Sequence, residues 1–285
     1  MNMNKRYKIA GHLFEVSGER LCKAVEHIDG FKPFVVDEGV SEFYFEEGTE
    51  TDIPTLIDKQ YTFEYEDVIG AFGRTLTGFG LYLQPTDEAP LVMWCEENSN
   101  QAFLAGNWSL RLYRFALWVG YGLMTLRKDT LAIHSSCIVY KEKAVLFLGE
   151  SGTGKSTHTR LWREHIEGAG LLNDDSPMLR VEDGKIWVYG SAWSGKTPCY
   201  KNERYELQGC VRLSQAPYNK IQKLSILHAY GAIHPSCAPE FAYDTVLYDE
   251  VSRIIGNILS VVPCYHLACL PDEEAARLSC KTLFG

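Results

Sequence analysis

Apolar and polar residues alternate from Tyr7 to Val16 and again from Gly78 to Gln84, the period of strands with one buried face. Glu19 to His27 carries the spacing of a short amphipathic helix, and the acidic stretch from Glu46 to Asp52 reads as a loop. Asn107 is placed to cap a helix running to about Leu126. That helix is apolar on nearly every face, so it is expected to be sandwiched between layers.

Past Lys128-Asp129-Thr130 the signals become denser. Leu131 to Tyr140 and Ala144 to Leu148 read as strands separated by the charged turn Lys141-Glu142-Lys143. Lys155 to about Ile166 has helical apolar spacing, and Leu171-Leu172-Asn173 is a short strand ending at Asp174-Asp175. Met178 to Val181 and Ile186 to Tyr189 flank Asp183-Gly184, a hairpin turn pair. Helices are expected from Asp244 to Leu259, ending before Pro263, and after Pro271, where Asp272, Glu273 and Glu274 open the first turn and Lys281 lies near the end. The pattern predicts an N-terminal α+β domain over residues 1–128 and a second domain over residues 129–285.

Charge and cysteine usage narrow the partners. A net charge of −9 with no basic cluster argues against nucleic acid. Phe115 to Leu126 is too short to cross a bilayer, and Met1 to Lys8 leads into no apolar signal region. The nine cysteines are scattered and contain no C-x-x-C pair, which favours reduced, buried thiols in a cytoplasmic protein over disulfides or structural zinc.

The chemistry concentrates in Gly149-Glu150-Ser151-Gly152-Thr153-Gly154-Lys155-Ser156, which fits the G-x4-G-K-[ST] phosphate-loop pattern without a mismatch. A strand before it and a helix after it are the context this pattern requires. Glycines at 149, 152 and 154 let backbone N–H groups converge on phosphate oxygens, and the following helix presents its positive end to the same anion. Lys155 adds a full charge toward the β- and γ-phosphates, and Ser156 offers a hydroxyl to Mg2+.

Asp174-Asp175 ends the next strand, at the strand end where ligands of an α/β sheet sit. One carboxylate of such a pair can hold a metal while the other takes a proton. A solvated turn capping the next segment fits the same two residues. His134, in Ala132-Ile133-His134-Ser135-Ser136-Cys137, reads on its own as a hydrogen-bonded core residue. His158, three residues past Lys155, reads as a hydrogen-bonded core residue or an ordinary surface side chain rather than a ligand. Gly190-Ser191-Ala192-Trp193-Ser194-Gly195-Lys196 is a small-residue loop with a basic end.

Taken together, Ile133 to Lys196 resembles the nucleotide-binding half of the superfamily joining HPr serine kinase and PEP carboxykinase. The likeness rests on Ile133-His134-Ser135-Ser136, on the run from Phe147 to Thr157, on Leu172-Asn173-Asp174-Asp175 and, more weakly, on Gly190 to Lys196. It covers about a quarter of the chain closely. It implies an α/β (mixed α+β) fold, with a PEP-carboxykinase-like phosphate-loop domain beside a smaller N-terminal α+β domain. It implies ATP, or another nucleotide, bound by Gly149, Ser151, Gly152, Thr153, Gly154, Lys155, Ser156 and Thr157. Mg2+, or Mn2+ in its place, would be held by Ser156, Asp175 and His134. Asp174 would act as general base on the acceptor hydroxyl or orient it, with His134 a metal ligand or a partner of Asp174, and Lys196 would contact the transferred phosphate. The chain departs from both branches: it shows no arginine-rich oxaloacetate site and no second HPr-kinase signature.

Three functions follow from these readings. The first is a kinase acting on a hydroxyl, of free serine, a similar metabolite, or a peptide or protein serine. A non-catalytic nucleotide-sensing module is the alternative, and a PEP-carboxykinase-like lyase comes third. The acceptor and the oligomeric state are not legible in the sequence.

Overall fold

Tyr7 to Val16 is two strands rather than one. Ala10 and Gly11 both take positive φ (47° and 81°), a two-residue turn that folds β1 (Asn4–Ile9) onto β2 (His12–Ser17) with Ile9 opposite His12. The alternation hid the turn because Ala10 is not a residue type that announces a positive φ. The computed structural model describes residues 4–195 and 197–285. They form two compact units, one of residues up to Lys128 together with Pro239–Tyr248, the other of Asp129–Ala238 together with Asp249–Gly285. Each unit carries a large mixed sheet and helices, so the fold is mixed α/β.

In the first unit, β1 and β2 are followed by α1 (Glu19–Glu26), β3 (Val35–Val36), β4 (Phe43–Glu47), β5 (Asp58–Tyr65), β6 (Val68–Arg74), β7 (Gly78–Pro85), β8 (Leu91–Glu96), β9 (Gln101–Gly106) and α2 (Leu110–Leu126). The nine strands lie in the order β3-β1-β2-β4-β9-β8-β7-β6-β5. The pairs β2/β4 and β4/β9 are parallel and the others antiparallel. Part of the stretch expected as a loop from Glu46 is thus the end of β4. Phe14 stacks on Phe43, and Tyr121 of α2 meets both rings edge-on while its hydroxyl donates to Ile9 O (2.8 Å). Gly120 lets α2 approach β4 closely, since a Cβ there would lie 2.7 Å from the Phe45 ring. The cap position is Ser109, two residues past the expected Asn107. Asn107 Oδ1 accepts from Ser109 N (2.7 Å) and its amide is tied to Glu88 and Ala89, so it shapes the turn into α2.

Residues 239–248, which the sequence reading leaves with the second domain, belong to this first unit. Asp244 accepts two hydrogen bonds from Arg74 (2.6 and 2.9 Å) and one from Gln60 (3.1 Å). Tyr243 stacks on Tyr61, and Phe241 packs against Phe72. Asp244 also receives the N–H groups of Val246 and Leu247 and so caps the following helix.

The second unit contains β10 (Thr130–Ala132), β11 (Ser135–Tyr140), β12 (Lys143–Leu148), α3 (Lys155–His165), β13 (Gly170–Asp175), β14 (Met178–Glu182), β15 (Lys185–Tyr189), β16 (Arg204–Gln215), β17 (Lys220–Lys223) and α4 (Ile226–Ile233). After α5 (Thr245–Val261) come β18 (Cys264–Cys269) and α6 (Glu273–Phe284). The sheet order is β10-β14-β15-β16-β12-β11-β13, with β18 alongside β16 and β17 alongside β18. The β12/β16 and β16/β18 pairs are parallel. The expected Asp183-Gly184 turn forms, with φ of 50° and 74°. The single strand expected over 131–140 is broken at 133–134, between β10 and β11, which pair with different neighbours.

One core of this unit joins Phe147, Leu161, Trp162, Val211, Leu213, Leu267 and residues of α6. His158 belongs to that core and not to the surface, at 3% exposed. Its Nε2 lies 3.1 Å from Ser279 Oγ, which also accepts from Trp162 Nε1 (2.9 Å), and its ring meets Phe147 edge-on. Burial pushes its pKa down to about 4, so the ring is neutral at neutral pH. None of the nine cysteines forms a disulfide, and no helix among the described residues is long and apolar enough to cross a membrane.

Candidate functional site

β12 ends at Leu148, and after six intervening residues the chain enters α3 at Lys155. The connection needs glycine for two different reasons. At Gly149 a Cβ would sit 2.5 Å from Thr153 Oγ1, so close packing excludes a side chain. At Gly152 and Gly154 the space is open, and the constraint is the backbone itself, at φ of 81° and 102°. Thr153 closes the loop by donating through its N–H (3.2 Å) and its hydroxyl (2.8 Å) to Glu150 O. Ser151 and Gly152 are exposed at its tip. The first turn of α3, which includes Lys155, Ser156 and Thr157, presents unpaired helix-start N–H groups beside it.

Lys155 folds back so that Nζ donates to Gly149 O (2.7 Å) and Glu150 O (3.1 Å). Burial lowers its pKa against the pull of Asp175, Glu150 and Asp174. Ser156 Oγ donates to Asp174 Oδ1 at 3.0 Å. The antiparallel register of β11 and β13 sets Ser136 opposite Asp174 and Ser135 opposite Asp175, which brings His134, just before β11, to the same end. His134 Nε2 lies 3.8 Å from Asp175 Oδ1, and its N–H donates to Ser236 O (2.6 Å). Partial burial first, then the Lys155 charge, hold the imidazole pKa below its ordinary value, so the ring is neutral at neutral pH and able to offer a lone pair. His134, Lys155, Ser156, Asp174 and Asp175 are therefore gathered at one end of the sheet, although they come from three separate segments.

Residues to which the motif likeness assigned no role hold this arrangement. Ser136 Oγ donates to Thr159 Oγ1 (3.0 Å), and Thr159 Oγ1 to Ser156 O (3.1 Å), tying β11 to the first turn of α3. Asn173 is fully buried. Its Oδ1 accepts from Ser176 N (2.9 Å), and its amide donates to Trp193 O (2.9 Å). Gly195 N donates to Asp174 O (2.6 Å), and a Cβ on Gly195 would press on that same oxygen at 2.9 Å. The loop from Gly190 thus runs alongside the aspartate pair. Lys196, next in line, lies outside the described residues.

On the α3 face of the sheet, beyond the ends of β16 and β18, a cavity of about 560 Å³ opens against the loop. Gly152, Gly154, Thr157, Leu213, Gln215 and Pro271 line it. Leu213, Cys269, Leu270 and Pro271 make much of its wall apolar, while Gln215 Nε2 donates to Gly152 O (3.2 Å) and holds the loop to β16. Parallel strands ending at a crevice are where α/β sheets take ligands.

Among the described residues, no three His, Cys, Asp or Glu side chains are gathered into a ready metal site. The donors at this strand end stand as two pairs, Ser156 with Asp174 (3.0 Å) and the neutral His134 with Asp175 (3.8 Å). A cation completed by phosphate oxygens and water needs only one or two carboxylates, so these donors fit Mg2+ or Mn2+.

No protein-family model matches the chain, and no curated protein matches it. Among solved structures it is similar to the HPr(Ser) kinase/phosphatase from Coxiella burnetii, at 15% identity, over 54% of this chain and 99% of that one, with a TM-score of 0.32. A likeness of that degree carries no residue role or activity to this chain.

Proposed function

We propose that this protein is a phosphotransferase that moves the γ-phosphoryl group of ATP to a hydroxyl, with serine, free or in a peptide, as the acceptor class. The observation that carries the reading is the 3.0 Å contact between Ser156, in the first turn of the helix that the glycine loop opens, and Asp174. A phosphate cradle and a carboxylate pair at the same strand end are what phosphoryl transfer requires, since the reaction asks for positioning and charge neutralisation.

In this reading the loop backbone from Gly149 to Thr157 and Lys155 hold the β- and γ-phosphates, and the cavity beside Leu213 and Pro271 takes the nucleoside. Ser156, Asp175 and the neutral His134 would hold the divalent cation, whose charge screens the phosphate oxygens. Asp174 gives up its bond to Ser156 and accepts the acceptor's hydroxyl proton. The acceptor oxygen bonds to the γ-phosphorus as the bond to the β–γ bridging oxygen breaks, and ADP leaves with that oxygen. Lys196, at the end of the loop from Gly190, would approach the transferred group.

ADP formation by the full chain, with ATP and Mg2+ and with serine, serine peptides or oxaloacetate in turn, tests this. Turnover is expected with a hydroxyl acceptor and not with oxaloacetate. In Asp174→Asn it should be lost while nucleotide affinity stays within about threefold, as expected of a residue that acts on the proton. Nucleotide binding without transfer to any hydroxyl would reduce the protein to a sensing module; an active Asp174→Asn variant would reject Asp174 as base.

A further inference from the structure

β16 runs parallel to β12, with Arg212 opposite Leu148, the last strand residue before the loop. Neighbouring positions of β16 face opposite ways. Leu213 enters the core under α3 and lines the cavity there, whereas Arg212 reaches Ala232 O of α4 (3.1 Å) on the other face of the sheet. From that side its guanidinium donates to Glu150 Oε1 at 2.6 Å. The pair is lopsided: the Arg212 side chain is 24% exposed and braced by two elements, while the Glu150 side chain is 70% exposed on the loop. The Arg212 charge also depresses the Lys155 pKa, so the two cations share a neighbourhood. His134 senses Lys155, Asp175 and Glu150 there as well.

We propose that Arg212 is a second fixed cation of the phosphate site and that Glu150 occupies its fork in place of the terminal phosphate. The inference rests on the nucleotide reading above. Lys155 and Arg212 are each bound to acceptors of the loop itself, Lys155 to the carbonyls of Gly149 and Glu150, Arg212 to the Glu150 carboxylate. An exposed carboxylate holds a guanidinium weakly. A phosphate offers the same fork two oxygens and more charge, so exchange is favoured when a triphosphate enters. Arg212 lies on the sheet face away from the cavity, which separates the nucleoside side of the loop from an Arg212, Lys155 and His134 side. It therefore belongs with the terminal phosphate and the acceptor, and Glu150 is a displaceable anion that tunes affinity.

Equilibrium titration of the full chain with Mg-ADP and with a non-hydrolysable Mg-ATP analogue tests this in wild type, Arg212→Gln, Arg212→Lys and Glu150→Gln. Arg212→Gln should weaken the triphosphate about tenfold or more, with a much smaller effect on ADP, and Arg212→Lys should recover part of the loss. Glu150→Gln should tighten the triphosphate severalfold, and that gain should vanish in the double variant. Equal losses for the two nucleotides, or an unchanged ratio, would overturn the proposal while leaving nucleotide binding intact. Should Arg212→Gln fail to fold, Glu150→Gln alone decides, since unchanged triphosphate affinity there removes the exchange. A wild-type chain that binds neither nucleotide ends both this proposal and the functional reading, a result distinct from the others.

Discussion

His158 gives this protein a specific acid sensitivity. Its pKa falls from 6.5 to about 4 because the ring is buried between Phe147 and Ser279. The unfolded chain therefore takes up a proton that the folded chain refuses. The associated stability is complete above pH 6.5, is lost as pH falls from 6.5 toward 4, and changes no further below that. At roughly 1.4 kcal/mol per pKa unit, the loss is roughly 3 kcal/mol, a large part of the margin of an ordinary domain. His158→Gln removes the titration and keeps a polar group facing Ser279. Urea unfolding of both proteins at several pH values between 7 and 4 measures the effect. Lost ring packing shifts the variant by a constant, and carboxylates common to both proteins cancel, so the readout is the difference in slope. Wild type should lose about 1 kcal/mol more per pH unit than the variant between about pH 6 and 4.5. Parallel curves would refute the argument, as would an imidazole resonance that titrates near 6.5 in the folded protein.

Two further substitutions probe other parts of the molecule. Gly154→Ala adds a methyl group to open space at φ 102°, so its cost is backbone strain of about 1–2 kcal/mol; urea unfolding and nucleotide titration should both weaken, and an unaltered affinity would detach the loop conformation from binding. Asp244→Ala breaks a buried pair and a helix cap at once, for about 3 kcal/mol in chemical denaturation, with a loss under 1 kcal/mol counting against the pairing. In the wild type, burial raises the Asp244 pKa, but its bonds to Arg74 and Gln60 outweigh this and lower it, so the contribution should persist at neutral pH and fade below about pH 4.

What the sequence reveals follows the range of the forces involved. The Asp183-Gly184 turn and the strand, loop and helix from Ala144 to His165 are written within a few residues of themselves and could be read directly. The Ala10-Gly11 turn could not, because nothing in alanine signals φ 47° until β1 and β2 have paired. His158 could be read as core or surface because α3 has a polar composition; the cover that decides for the core is supplied by α6, more than a hundred positions later. In the candidate site, motif likeness named His134, Lys155, Ser156 and the aspartates. Ser136 and Asn173 stand inside those motifs, but their bracing role, with Thr159, depends on tertiary pairing and could not be read locally. Arg212 is hidden for the same reason, since its neighbour Leu148 is 64 positions away in sequence and adjacent through parallel pairing.

The stretch from Pro239 to Tyr248 has a consequence for biosynthesis. Arg74 and Gln60 emerge from the ribosome some 170 residues before Asp244, their carboxylate partner. Until that segment is translated, Arg74 in the nascent amino-terminal sheet has Glu97 as a partner but not Asp244, and the rings of Tyr61 and Phe72 lack Tyr243 and Phe241. The earlier-made unit thus takes its last contacts from a late piece of the chain, and a fragment ending near Lys128 would lack them.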